Sequence, residues 1–129
     1  MGAWRFLIPM LPLILGGGAY GQAQASFTNA DYAKHIRDLK RKLPHKGFTI
    51  VLEKPFVVIG DMPAAQLRTR WALGTIHWAT QKLKASYFTK DPIHILDIWL
   101  FKDKASYEKH AKQLWGSKPT TPYGYYSSA

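Results

Sequence analysis

The chain contains no cysteine. No disulfide can staple it, and no lipidated cysteine can tether it as a lipoprotein. Acidic residues are scarce, with 8 Asp and Glu against 18 Lys and Arg, a formal charge of +10. No apolar run reaches the roughly 20 residues that a membrane span requires. Several catalytic signatures are also missing. There is no His-Glu-x-x-His, no Gly-x-Ser-x-Gly elbow, no P-loop and no dinucleotide fingerprint. These absences exclude the commonest readings for a hydrolase or nucleotide-binding enzyme. They leave a basic chain of 129 residues, 47% hydrophobic, with room for one core.

The N-terminus reads as an export signal. One positive charge before Phe6, an apolar Phe6–Leu15 interrupted by Pro9 and Pro12, and a small flexible Gly16–Gly21 precede Ala23-Gln24-Ala25. Ala23 and Ala25 fit the small-x-small cleavage rule. The expected organisation is a signal peptide over residues 1–25 and a single domain over 26–129, secreted or held in a bacterial envelope. The basic excess favours anionic neighbours such as cell-wall polymers or lipid headgroups. Export and the scatter of Lys34, Lys54, Lys82, Lys102 and Lys118 argue against nucleic acid. A plain solvated basic surface accounts for the same charge.

Periodicity divides the predicted mature chain into elements. Tyr32, Ile36, Leu39 and Leu43 recur at helical spacing behind the capping stretch Thr28–Asp31, and Pro44–Gly47 ends the pattern. Phe48–Glu53 and Phe56–Gly60 read as strands joined by Lys54-Pro55, an antiparallel hairpin. Asp61-Met62-Pro63 predicts a helix start, with Asp61 as N-cap. The helix is expected to reach Tyr87 and to bury Leu67, Trp71, Gly74 and Trp78 as one sector, Gly74 admitting another backbone. Ala65, Ala72, Ile76, Ala79, Leu83 and Tyr87 form a second sector. Ile93–Phe101 is apolar on both alternating faces and reads as an interior strand. Asp103 then caps a helix carrying Tyr107, Ala111 and Leu114, closed by Gly116. The predicted class is α/β (α+β), a small mixed or antiparallel sheet of three to four strands packed by three helices. The order is helix-strand-strand-helix-strand-helix.

Residues that could carry chemistry are few. His77 and Gln81 have the i, i+4 spacing of a zinc helix, but glutamine replaces the second ligand and Trp78 the general base. Glu108 and His110 point to different sides of their helix. Asp97, a carboxylate in an apolar strand, is expected to be neutralised by Arg68, Arg70 or a lysine. The terminal Tyr123, Tyr125 and Tyr126 could form an aromatic binding platform, or be strand residues awaiting a partner. No catalytic or metal-ligating residue is assigned.

Four pieces in order carry a resemblance: Phe56–Asp61, the Trp71–Phe88 helix, Asp91–Tyr107 with its Asp97-Ile98-Trp99-Leu100-Phe101-Lys102-Asp103, and Pro119-x-x-Pro122-Tyr123-Gly124-Tyr125-Tyr126. Together they resemble the N-terminal part of exported bacterial zinc metallopeptidases of the peptidase-MA-like, gluzincin type. In that family the Tyr-Gly-Tyr-Tyr region leads into a further strand and then a His-Glu-x-x-His helix. A downstream glutamate completes the zinc site. No position in these 129 residues matches those ligands, so none is carried over. The resemblance implies a scaffold truncated before its catalytic helix, inactive alone. It requires no cofactor of its own, zinc belonging to a complete family member, and its partner would be the missing C-terminal catalytic portion.

Overall fold

The computed structural model describes residues 26–44, 46–122 and 124. Ala23, Ala25, Tyr123, Tyr125 and Tyr126 lie outside them. Helix α1 spans Asn29–Lys42. The strands are β1 (Thr49–Glu53), β2 (Phe56–Gly60) and β3 (Leu96–Leu100). Between β2 and β3 runs a helical rod of three contiguous segments: α2 (Ala64–Gln66), a π-helix (Leu67–His77) and α3 (Trp78–Ser86). Helix α4 (Lys104–Trp115) follows β3. The α+β class and the element order are those expected.

Helix α1 forms where its capping box dictates. Thr28 Oγ1 accepts from Asp31 N, and the Asp31 carboxylate accepts from Thr28 N at 2.7 Å. Its stripe of Tyr32, Ile36, Leu39 and Leu43 packs on Val57 and Ile59 of β2. Trp99, Ile50 and Phe48 complete that face. On the other face Val51 and Val58 meet Met62, Leu67 and Ala72, with Trp71, Ile76 and Leu100 against them. The sheet is thus the middle of three layers, with α1 and the helical rod on opposite sides.

Within the sheet, β1 and β2 are antiparallel as expected, Thr49 opposite Gly60. Strand β3 lies parallel to β2, Phe56 opposite Leu96, the rod serving as the crossover that a parallel pair requires. The order is β1-β2-β3, so among the described residues β3 is an edge strand and not the interior strand its apolarity suggested. Strand β2 is central, and Val57, Val58 and Ile59 are fully buried. Apolarity on both faces reports helices above and below, not strands on either side, and an edge strand in a covered sheet meets that condition equally.

The rod departs furthest from expectation. A π-helix pairs residues five apart, so its columns run Leu67–Ala72 and Trp71–Ile76. Leu67 and Ala72 are the buried members, and Thr75 Oγ1 donates to Arg70 O, five residues back. Trp78 turns outward, 61% exposed, and Leu73 with it. The backbone close to Gly74 is the Thr69 carbonyl of its own helix, 3.1 Å from where a Cβ would sit, and among the described residues no second element approaches there. Gly60 is the true close-packing glycine: an added Cβ would lie 2.7 Å from Leu67 Cδ1 and 2.9 Å from Leu100 O.

Candidate functional site

The chain's polar and aromatic groups converge where β3 passes into α4. Asp103 caps α4, accepting from Ser106 N at 2.7 Å, and Gly116 ends the helix at φ 78°, both as expected. Asp61, expected to cap the rod, serves here instead. Its Oδ1 accepts from Lys102 N at 2.8 Å, and its Oδ2 accepts a short bond from the Ser106 hydroxyl. The rod begins with Pro63 in the cap position and no side-chain cap bond. Two charge-assisted bonds to the β3–α4 junction satisfy the buried carboxylate better than exposed helix amides would.

His110 Nε2 lies 3.7 Å from the same Asp61 oxygen, and its Nδ1 is 2.9 Å from Gln113 Oε1. Asp, Ser and His therefore meet, but not in hydrolytic order. A catalytic triad puts histidine between the carboxylate and the nucleophile. Here the serine hydroxyl gives its hydrogen to the carboxylate, and both Ser106 and His110 are buried. The geometry ties β2, β3 and α4 together. It offers no attacking oxygen to a substrate.

Over this network lies an aromatic cluster. Phe48 meets His110 edge-on at 4.8 Å between ring centroids, Phe101 lies against Tyr107 at 5.6 Å, and Trp99 meets Trp115 at 5.6 Å. An open groove of about 280 Å3 runs beside it, between Trp99, Phe101, Asp103, Tyr107, Pro122 and Gly124. A smaller one of about 180 Å3 adjoins it along Glu108 and Pro119–Pro122. Tyr107 lines both, and its buried hydroxyl has no hydrogen-bond partner among the described residues. Lys118 Nζ pairs with Glu108 at 3.1 Å. Pro122 and Gly124 flank Tyr123, the first of the tyrosines singled out in the sequence.

The remaining candidates are dispersed. Asp97 pairs with His35 Nε2 at 2.7 Å, and not with Arg68, Arg70 or a lysine. Its side of β3 faces α1, whereas the arginines sit on the rod across the sheet. His77 Nδ1 is 2.6 Å from Glu53 Oε1, which joins the rod to β1. Among the described residues no three His, Asp or Glu side chains converge as a metal site. No helix among them is long and apolar enough to cross a membrane. Asp61 and the Tyr107 hydroxyl escaped sequence reasoning. The Asp61-Met62-Pro63 signature is that of a helix cap, and Tyr107 falls on an apolar stripe.

A scan against protein-family models gives no match, and neither the curated proteins nor the solved structures yield one.

Proposed function

We propose that these residues are the scaffold part of an exported, zinc-metallopeptidase-like protein, and that the chain alone does not cleave peptides. The motif order from Phe56 to Tyr126 motivates the reading. The structural observation that supports it is the free edge of β3. Among the described residues β3 pairs only with β2, so its outer backbone groups have no ladder partner. The groove at its C-terminal end carries the Tyr107 hydroxyl, unpartnered among the described residues, and is bordered by Pro122 and Gly124. A strand leading out of the Tyr-Gly-Tyr-Tyr region, as in the proteins this chain resembles, would complete the sheet there. The zinc helix would follow it.

On this reading zinc and the general base come from the C-terminal catalytic portion. The residues described here supply the sheet against which that helix is set. Export through the 1–25 leader places the protein in the envelope or outside the cell. Purified chain, incubated with an unstructured peptide and zinc, is expected to leave the peptide intact, and chelator-sensitive cleavage overturns the proposal. Reading the DNA beyond the Ala129 codon supplies the second arm. A His-Glu-x-x-His there, in frame or frameshifted, is the expected result, and its absence from every frame counts against it.

A further inference from the structure

The rod and its exit carry an unusual surface. From residue 62 to residue 90 the sequence has no Asp or Glu, yet it holds Arg68, Arg70, Lys82, Lys84 and Lys90. Every residue from 81 to 90 is exposed. Large apolar side chains stand in and just after that stretch: Leu83 is 46% exposed, Tyr87 77%, Phe88 57% and Ile93 85%. Leu83 and Tyr87 are one helical turn apart and share a face. Lys84 pairs with Asp91, which folds the connection after α3 back onto the last helical turn and neutralises its one carboxylate. The Phe88 amide also bonds to Leu83 O, which keeps Phe88 at the end of the rod, and Ile93 follows the tethered Asp91 by two residues.

We propose that the end of α3 and the connection that follows it form a docking surface for an anionic lipid bilayer. Leu83, Tyr87, Phe88 and Ile93 enter the boundary between headgroups and acyl chains. Lys82 and Lys90 stay at the level of the lipid phosphates, their stems lying along the apolar surface. The charge balance selects this occupant. A second copy of the chain would bring the same cations face to face, with no carboxylate from 62 to 90 to answer them. A polyanion in solution would satisfy the lysines but leave Leu83 and Ile93 in water. An anionic bilayer accommodates both sets. The inference does not depend on the metallopeptidase-like reading, because it uses neither the β3 edge nor the groove beside it.

Cosedimentation of the purified chain tests it, with vesicles of equal parts phosphatidylglycerol and phosphatidylcholine against vesicles of phosphatidylcholine alone. Binding to the mixed vesicles only, weakening as salt rises, is the expected result. The paired substitution Phe88→Ser and Ile93→Ser is expected to lower partitioning about tenfold or more. Lys82→Gln with Lys90→Gln is expected to weaken binding and flatten its salt dependence. All four side chains are exposed, and circular dichroism checks that each variant is folded. Equal binding to both vesicle types overturns the proposal, as does no binding at low salt. So does an apolar variant that binds like the parent, or capture by heparin without vesicle binding. A concentration-dependent dimer that the serine variant abolishes, in the absence of vesicle binding, reassigns the surface to a second copy.

Discussion

Asp61 is the residue on which three elements depend. It follows β2 directly, accepts from the backbone where β3 ends, and accepts again from Ser106 inside α4. Asp61→Ala leaves Lys102 N and the Ser106 hydroxyl without their acceptor. The expected cost is about 3 kcal/mol, read as a shift in the urea midpoint at unchanged slope. Ser106→Ala removes one bond and is expected to cost less. Tyr32, buried on α1, has a titration that folding displaces. Burial raises its hydroxyl pKa above the ordinary 10.0, Asp91 adds to the rise, and Lys84 opposes it. A proton held more tightly in the folded state stabilises fully below the unfolded pKa, and that contribution is lost as pH rises through the folded one. Stability is therefore expected to fall on the alkaline side, beginning near the ordinary value. Tyr32→Phe, which also gives up the hydroxyl bond to Pro55 O, is expected to lose less there. Urea midpoints measured across alkaline pH for both proteins make the comparison.

Among the elements, the rod separates two readings of one sequence. At α-helical spacing Trp71 and Trp78 would share the buried sector with Leu67. At π spacing the core receives Leu67 and Ala72, with Trp71 and Ile76 beside them, and Trp78 goes to solvent. The consequences for stability are opposite. Trp78→Ala is expected to change stability by no more than about 0.5 kcal/mol, as at an ordinary surface site. A buried tryptophan would cost about 3–5 kcal/mol. Ala72→Leu, by contrast, places three more carbons in a fully buried position and is expected to cost about 1–3 kcal/mol. Chemical denaturation of the two variants decides the helix register without further structure.

For the molecule as a whole, the central fact is that β2 belongs to both cores. Val57 and Ile59 sit in one, Val58 in the other, and the parallel pairing with β3 brings a late strand beside an early hairpin. Loss of either helical layer uncovers the same strand. Unfolding is therefore expected as one cooperative transition, with far-ultraviolet dichroism and tryptophan fluorescence giving coincident curves. Separate midpoints would mean that the two layers melt independently. The charge of +10 acts on this unit without shaping its fold. Its effect is on what the protein approaches, and at the end of α3 exposed lysines stand beside exposed apolar side chains.

The sequence by itself determined the elements whose cause is local. The capping box at Thr28, the stripe from Tyr32 to Leu43, the hairpin around Pro55, the Asp103 cap and the Gly116 stop each depend on residues a few positions apart. The element order and the α+β class follow from them, and so does the basic surface. Tertiary structure alone decided the rest. It made β3 an edge among the described residues, because apolar alternation records what lies above and below a strand and says nothing of its neighbours in the plane. It turned Asp61 from a helix cap into the tie among β2, β3 and α4, since the partners Lys102 and Ser106 lie more than 40 residues away. It gave Asp97 to His35, because strand pleat and layer order fix which side a carboxylate faces. It set Trp78 in water through the π register, where a single change of period moves every later side chain around the axis.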